Sequence, residues 1–505
     1  MKKTGFDNEK YLQEQSKEIL ERAAQFDNKL YLEFGGKLIF DFHAARILPG
    51  FDPNVKIKLL QKLKDNIDII ICIYAGDIAR KKIRADFGVS YDADTMRLID
   101  DLRGYELNVK AVIVTRYDDQ PVVNSFINKL KRRDIDVYTH RAIKGYPTDL
   151  NMILSDDGYG ANEYVKTDKP IVIVTGPGPG SGKLATCLSQ VYHEHQNGVS
   201  ASYAKFETFP IWSIPLKHPV NIAYEAATAD LGDFNQVDPF HLEAYGKTTI
   251  NYNRDVEAFP VVKRIVSKIM DNSQVYQSPT DMGVNRAGFA IIDDEVVQEA
   301  SVQEIIRRYF RYRCEYALGL TEQITVDRVK LLMDDLEVCE EDRKIVLPAR
   351  EAGFAAEKQQ DKGNDGLYCG AALELPDGSI VTGKNSPLMH AASSCILNAI
   401  KQLASLPDDE MLISPEVLEA VSKLKGEIQN SRRLSLDMEE MMIALSVSTL
   451  SNPSVKQAVE KLKDLSGCEM HITHMPTPGD EAGLRKLGIN LTCDANFSSK
   501  NLFID

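Results

Sequence analysis

No stretch of this 505-residue sequence is apolar over the ~18 residues that a membrane-spanning helix needs. Segment 1–26 is charged, with no apolar core typical of a secretory signal, so the sequence predicts a cytoplasmic protein. The eight cysteines form no Cys-x-x-Cys pair and are expected to be reduced, mostly buried thiols. Acidic residues outnumber basic ones, 74 to 60. The net charge of −14 argues against nucleic-acid and anionic-membrane partners, because both need a basic face.

The length of the chain predicts roughly two to four domains. From residue 29 to about residue 210, short apolar runs alternate with amphipathic helical segments. The runs are 38–40, 67–73, 111–114, 135–138, 171–174 and 200–206. This alternation predicts an α/β fold with a doubly wound, mostly parallel sheet that binds ligands at the carboxyl ends of its strands. We predict an α/β domain over 1–295, a helical region over 296–355 and a smaller α+β module over 356–505.

The strongest local signal is segment 171–183, in which an apolar strand enters a glycine-rich loop that is followed by a helix. Glycines let the backbone approach a phosphate, and the N-terminus of a helix adds partial positive charge. Lys183 would add a full charge. The arrangement therefore predicts a P-loop-like site for a small phosphate-bearing ligand. Its predicted binding residues are Gly176, Gly178, Gly180, Ser181, Gly182, Lys183 and Thr186.

The spacing departs from the P-loop motif G-x-x-x-x-G-K-[ST]. The position of the first glycine is taken by Pro177, and Leu184 stands where a magnesium-binding hydroxyl is usual. Ser181 or Thr186 would have to supply that hydroxyl from a different place. We predict ATP or another phosphate-bearing nucleotide as the cofactor, with Mg²⁺ as a possible companion. The alternative is a tight turn that binds nothing.

A polar block follows over residues 205–257, dense in Asp, Asn, His and Arg. Because each buried polar group must be hydrogen-bonded, few cores would use this composition. We interpret the block as a pocket for a small polar metabolite beside the glycine loop, with Asp230, Asp238, His241 and Arg254 as its candidate polar groups. The alternative is an irregular pair of capped helices with an exposed face.

Several long strings of residues closely resemble the bacterial domain of unknown function 1846 family. They are segments 178–183, 204–212, 216–219, 223–230, 238–246 and 251–255, with further similarity at 31–37, 48–52 and 486–492. The resemblance implies a cytoplasmic bacterial protein and supplies no established reaction. Some members of that family have carried the label of an ATP-dependent zinc protease.

The residues offer little support for zinc. There is no H-E-x-x-H motif, and His471 and His474 form a pair without a third ligand, so we predict no zinc or other metal-ligand set in the chain. Segment 370–383 and the helix predicted after it resemble the opening hairpin and helix of the cytidine-deaminase fold. That chemistry needs a P-C-x-x-C motif, which the sequence lacks, so deaminase activity is not expected.

Together these features predict an enzyme that uses a nucleotide or a phosphorylated metabolite. Phosphoryl transfer or ATP-dependent ligation on a small polar metabolite fits best. The catalytic candidates are Lys183, Asp230, Asp238, His241 and Arg254. The alternative function is a non-catalytic sensor or scaffold that binds a phosphate ligand with the same loop. A homo-oligomer is expected, since bacterial enzymes of this length commonly form closed symmetric assemblies.

Overall fold

The internal contacts divide the chain into two units, residues 2–301 and residues 302–505. The computed structural model describes residues 3–25, 29–84, 88–271, 276–428 and 434–500. None of the helices in these ranges is both long and apolar enough to cross a membrane.

The first unit is built on a parallel sheet. Its strands are β1 (Leu30–Phe34), β2 (Ile67–Tyr74), β3 (Ile83–Arg84), β4 (Val89–Ser90), β5 (Val109–Thr115), β6 (Val137–His140), β7 (Ile171–Thr175), β8 (Ser202–Phe206), β9 (Asn235–Val237), β10 (Ile250–Tyr252) and β11 (Gly283–Val284). Seven of these described strands form the main sheet in the order β11-β8-β1-β7-β2-β5-β6. Every neighbouring pair in that sheet is parallel. The predicted α/β architecture is therefore confirmed.

Helices connect these strands. They are α1 (Asn8–Ala24), α2 (Phe42–Ile47), α3 (Val55–Lys62), α4 (Ala75–Ala79), α5 (Tyr91–Gly104), α6 (Pro121–Lys131), α7 (Leu150–Ile153), α8 (Lys183–Gln196), α9 (Pro219–Ala227), α10 (Pro239–Tyr245), α11 (Asn253–Ile269) and α12 (Pro279–Met282). The connection after β1 and the connection after β7 cross the sheet in opposite directions. Because crossovers between parallel strands are right-handed, these two connections lie on opposite faces of the sheet.

One predicted strand is wrong. Residues 38–40 form no strand, and the first strand of the sheet is β1, which lies earlier in the chain. All five residues of β1 are buried, including Glu33, whose carboxylate accepts a 2.8 Å hydrogen bond from the hydroxyl of Tyr203. A charged residue inside a buried strand hid the pattern, since burial of a carboxylate becomes acceptable only when a partner is supplied by the tertiary structure.

The second unit contains a smaller mixed sheet. Its strands are β12 (Gly370–Glu374), β13 (Ile380–Lys384), β14 (Glu469–Ile472) and β15 (Asn490–Cys493), in the order β13-β12-β14-β15. The first two pairs are antiparallel and the third is parallel. The remaining helices are α13 (Asp294–Ala317), which includes the boundary between the units, α14 (Gln323–Asp335), α15 (Val346–Glu357), α16 (Ala391–Leu403), α17 (Pro415–Lys423), α18 (Met438–Ser448), α19 (Pro453–Glu460) and α20 (Pro478–Lys486).

The hairpin of the second unit packs closely against α16. A Cβ atom added at Gly383 on β13 would lie 2.3 Å from the backbone nitrogen of Cys395 and 2.6 Å from the carbonyl oxygen of Ala391. Since backbone atoms of a helix cannot move aside individually, Gly383→Ala should lower the free energy of unfolding by about 1–3 kcal/mol, measured by urea denaturation. The control is Gly104→Ala, whose added methyl group meets no atom within 4 Å. It should change stability by no more than about 0.5 kcal/mol, and equal losses for both variants would contradict the packing described.

Candidate functional site

The chain reverses its direction of travel across the sheet between β1 and β7. Strand β1 leads to β2, which lies beyond β7, whereas β7 leads to β8, which lies beyond β1. Such a reversal opens a crevice at the carboxyl ends of the two strands, and open α/β sheets bind their ligands there. The glycine loop 176–182 leaves β7 at this crevice, and Gly35 and Gly36 follow β1 at the same edge.

The glycine loop presents unused backbone donors. Gly180 and Gly182 have φ angles of +73° and +93°, in the left-handed region that favours glycine. The N–H groups of Gly180, Ser181, Gly182 and Lys183 donate to no acceptor within the part of the chain that the structure describes. They lie at the N-terminus of α8, where the helix dipole adds positive potential. This geometry suits an anion.

The side chain of Lys183 folds back over the loop. Its Nζ atom lies 3.4 Å from the carbonyl oxygen of Gly178 and 3.5 Å from Oγ of Ser181. Both contacts are long for a charge-assisted hydrogen bond, so the ammonium loses little when it turns to a ligand. Lys183 therefore lies beside the loop donors.

A second cation at the loop was missed by the sequence reasoning. Arg116 follows β5 directly, donates a hydrogen bond to the carbonyl oxygen of Gly180, and stacks over the ring of Tyr74 with its guanidinium carbon 3.4 Å from the ring centroid. Its neighbour Thr115 donates a 2.7 Å hydrogen bond to the carbonyl oxygen of Ser181. The sequence signal that could have identified Arg116 is its position directly after β5, because the carboxyl end of that strand lies at the same sheet edge as the loop.

Other predicted loop residues serve packing. A Cβ atom at Gly176 would lie 2.4 Å from the carbonyl oxygen of Cys72, and one at Gly178 would lie 2.5 Å from the hydroxyl of Tyr91. Ser181 and Thr186 are buried, with 1% and 0% of their surface exposed. Gly176 is thus required by the close approach of the β2 backbone, whereas Gly178 packs against the end of the Tyr91 side chain. The two hydroxyls lie inside the protein.

On the other side of β1, strand β8 ends in an ionic cluster of Lys205, Glu207 and Asp255, in which Glu207 is buried and the other two side chains are partly exposed. The Nζ atom of Lys205 contacts Asp255 and lies 2.6 Å from Oε1 of Glu207. Burial raises the pKa of Glu207 to about 8, although the ammonium of Lys205 opposes that shift. For Lys205 desolvation lowers the pKa, but the two carboxylates outweigh it and raise the pKa overall. One ammonium thus faces two carboxyl groups, so one of them keeps its proton near neutral pH.

Two residues of the polar block lie close to this cluster. Arg254 donates a 2.7 Å hydrogen bond to Asp233, and Asp233 interacts electrostatically with Asp255, Lys205 and Asp230. The side chain of Arg254 is 57% exposed, so its guanidinium remains accessible. The structure therefore brings Arg254 and Asp230 to the rim of the ionic cluster.

Asp238 and His241 belong to a different set of contacts. Asp238 is fully buried, and one carboxylate oxygen accepts hydrogen bonds from the N–H groups of Phe240 and His241 at the start of α10. The other oxygen accepts from the N–H and hydroxyl groups of Thr280, at 3.2 and 2.7 Å. His241 Nδ1 lies 2.9 Å from Oγ of Ser278. These contacts hold α10 against α12. They also satisfy both carboxylate oxygens of Asp238, so the burial of this residue is explained without a ligand.

The histidine pair of the second unit is held by separate neighbours. His471 is fully buried, with Nδ1 2.9 Å from Oγ1 of Thr492 and Nε2 3.6 Å from Asp494. Nδ1 of His474 lies 3.0 Å from Oγ1 of Thr473. Within the described ranges, the His, Cys, Asp and Glu side chains form no group of three or more that could hold a metal ion.

Two family models match the sequence across almost its whole length. The N-terminal model of the domain of unknown function DUF1846 matches residues 4–337, and the C-terminal model matches residues 341–503. The chain belongs to the DUF1846 family. This confirms the resemblance read from the sequence. The two DUF1846 models meet just after α14, which ends at Asp335.

Relatives with the family name UPF0371 are similar over their full length. The UPF0371 protein of Clostridium botulinum strain Langeland is 58% identical over 500 residues, and that of strain Alaska E43 is 57% identical over 501 residues. Each alignment covers 99% of this chain and 99% of the relative. The whole chain, with both units, therefore corresponds to these DUF1846 relatives.

The capping role of Asp238 can be tested by stability. Asp238→Ala removes a helix cap and leaves the buried N–H of Thr280 without its acceptor. We expect the free energy of unfolding of this DUF1846 protein to fall by about 2–4 kcal/mol in urea denaturation. Asp136→Ala, at an exposed position, should stay within about 0.5 kcal/mol of the wild type. Wild-type stability in Asp238→Ala would contradict the capping role.

The raised pKa of Glu207 predicts a dependence of stability on pH. The folded chain holds this proton more tightly than the unfolded chain, in which the pKa is near the ordinary 4.5. The contribution of the Glu207 proton to the free energy of unfolding is complete below about pH 4.5 and is lost as the pH rises to about 8. In Glu207→Gln the decrease in unfolding free energy between pH 5 and pH 8 should be smaller than in the wild type. The exposed control Glu243→Gln should keep the wild-type decrease, and an unchanged decrease in Glu207→Gln would refute the assignment.

Proposed function

We propose that the first unit is an enzyme that binds a phosphate-bearing ligand, a nucleotide such as ATP or a phosphorylated metabolite, at loop 176–183. The reaction proposed is phosphoryl transfer or ATP-dependent ligation on a small polar metabolite. The observation that carries the proposal is the run of four unused N–H groups, from Gly180 to Lys183, at the crevice between β1 and β7. Such donors at a helix N-terminus are suited to phosphate oxygens.

The charges around the loop support an anionic ligand. Lys183 and Arg116 both contact loop carbonyl groups, so two cations stand within reach of any group bound by the loop N–H donors. A hydrogen bond between a charged donor and a charged acceptor typically contributes about 1.5–3 kcal/mol. Because of these two cations, the loop would bind phosphate more tightly than it binds a neutral ligand of the same size.

The ionic cluster would supply acid–base chemistry to the second substrate. Neighbouring parallel strands lie about 4.8 Å apart, so the ends of β7 and β8 are separated by about 10 Å. This leaves room for a phosphoryl group at the loop and an acceptor metabolite beside Glu207. Glu207 has a pKa of about 8, so a fraction of this carboxyl group is deprotonated near neutral pH, and that fraction can take a proton from an attacking hydroxyl or amine group. Arg254 and Asp230, at the rim, would contact the metabolite.

Magnesium would have different ligands here from those in a P-loop enzyme. Leu184 carries no hydroxyl, and the hydroxyl groups of Ser181 and Thr186 are buried. An accompanying Mg²⁺ would therefore take its ligands mainly from phosphate oxygens and water. The same feature favours the second candidate function, a sensor or scaffold that binds a phosphate ligand without turnover.

The consumption of ATP distinguishes the two functions. Purified full-length protein would be incubated with ATP, with and without Mg²⁺, in the presence of pooled small polar metabolites. Metabolite-dependent conversion of ATP to ADP or AMP that is reduced in Glu207→Gln is expected for the enzyme. Tight ATP binding without any turnover would support the sensor, and no binding of phosphate or nucleotide would refute both.

Binding at the loop predicts a separation of affinity from stability in Lys183→Ala. In the unliganded protein, the ammonium adds to the positive potential of the helix N-terminus, so its removal should leave the melting temperature unchanged or slightly higher. The affinity for ATP or inorganic phosphate, measured by calorimetry, should fall roughly 10- to 150-fold. Lys131→Ala, at an exposed position of α6, should bind like the wild type. Wild-type affinity in Lys183→Ala would show that the loop is only a turn.

A further inference from the structure

The second unit contains a cavity that is separate from the glycine loop and the ionic cluster, and His474 of the histidine pair lies in its wall. Its volume is about 650 Å³, which is in the range of small-molecule binding sites. His390 and Thr477 line it, and these residues are the N-caps of α16 and α20. Segment 498–500 forms part of its wall. All the lining residues lie within the second unit.

A buried carboxylate fixes the orientation of the histidine in the wall. Nδ1 of His390 lies 2.7 Å from Oδ2 of Asp480, which is only 5% exposed. Asp480 also accepts hydrogen bonds from the N–H of Met438 at 3.1 Å and from the hydroxyl of Thr477 at 2.9 Å. Since the carboxylate accepts only, Nδ1 of His390 must carry the proton of this contact. The other ring nitrogen, Nε2, has no hydrogen-bond partner in the described part of the chain and remains for a ligand.

The remaining wall groups favour negative charge in the ligand. The ammonium of Lys500 lies over Gly366, with Nζ 3.1 Å from the position that a Cβ atom would take there, and it forms no ion pair with any described residue. Ala391 and Ala392, the first residues of the 13-residue helix α16, also line the cavity. The helix dipole therefore adds positive potential to that of Lys500. Of the acidic wall residues, Asp480 is already engaged by His390, and Asp365 is the other.

The cysteine in the wall is held in its protonated form near neutral pH. Burial raises the pKa of Cys369 to about 12, with the nearby charge of Asp480 adding to the shift. A thiol with such a pKa stays protonated near neutral pH and reacts slowly, because the thiolate is the nucleophile. The wall is therefore equipped for binding by hydrogen bonds and charge.

We propose that this cavity is a second binding site, for a small anionic ligand that carries a carboxylate or phosphate group. The ammonium of Lys500 contacts the anionic group, Nε2 of His390 accepts a hydrogen bond from a hydroxyl group of the same ligand, such as the P–OH of hydrogen phosphate, and Asp480 acts as a positioning residue that holds the imidazole ring. The site is independent of the glycine loop, because its lining residues all come from the other unit.

The test uses the full-length chain with Lys183→Ala, so that the glycine loop contributes little to anion binding. Inorganic phosphate and malate, which both carry a hydroxyl group beside their charge, serve as probes, and hydrogen exchange with mass spectrometry locates the binding. We expect at least one probe to protect segments 385–392 and 474–480 from exchange. Protection that is absent from both segments with both probes overturns the proposal. Binding at the glycine loop is measured separately, as protection of segment 176–183 in the wild type.

Substitutions in the same background identify the contacts. His390→Gln and Lys500→Gln should each raise the Kd of the bound probe at least tenfold in calorimetry. Lys486→Gln is the matched control, since Lys486 lies on the surface of the same unit and pairs with Glu439. It should keep the Kd unchanged. Lys500 is exposed and forms no hydrogen bond or ion pair with any residue that the structure describes, so Lys500→Gln keeps the test decisive if His390→Gln proves unstable. An unchanged Kd in the folded variants overturns the proposal.

Discussion

The first unit depends on the insertion of β7 between β1 and β2. Strand β7 is hydrogen-bonded on both sides, and all five of its residues are buried. A strand in the middle of a parallel sheet must be apolar on both faces, and the run Ile-Val-Ile-Val-Thr meets that requirement. Because the connections leave β1 and β7 in opposite directions, the carboxyl ends of these two strands border an open crevice. The loop after β7 is held at that crevice by packing against Cys72, Tyr91 and Thr115.

The second constraint is the burial of charged groups at the end of β8. Burying charged groups costs several kcal/mol per ion unless each is paired, and one lysine cannot neutralise two carboxylates. The consequence is a carboxyl group, Glu207, with a pKa of about 8. Groups with such shifted values are concentrated at functional sites, although ion networks that serve only structure produce them too. Here the cluster lies at the carboxyl edge of the same sheet as the glycine loop, which is the reason we assign it to the site.

The polar block contains charged residues of two kinds, some that stabilise the fold and some that remain accessible to a ligand. Asp238 and Arg254 are both charged and belong to the same block. Asp238 is fully buried and accepts four hydrogen bonds from protein groups, whereas the Arg254 side chain is 57% exposed and makes one ion pair through Asp233. Residue type cannot distinguish these cases. The distinction comes from whether the neighbouring elements satisfy the polar atoms of the side chain or leave them to solvent and ligands.

The strands that are continuous apolar runs could be predicted from the sequence, because a parallel strand buried on both faces leaves a strong local pattern. The predicted segments 67–73, 111–114 and 171–174 all lie within strands of the sheet. The hairpin around Gly378 was equally predictable, since a Pro-Asp-Gly turn between two apolar runs has local causes. Strand β1 escaped prediction because Glu33 interrupts its pattern, and its partner Tyr203 lies far along the chain.

The sequence by itself determined the α/β class, the loop with its four glycines and Lys183, and the family, because each of these is written in contiguous residues. Only the tertiary structure decided that Arg116 contacts the loop, that Lys205, Glu207 and Asp255 form one cluster, and that His390 and Asp480 line one cavity. These residues are brought together by strand order and helix packing, which are long-range properties of the chain. The local periodicity of a sequence records which side of an element is buried, but it does not record which distant element covers that side.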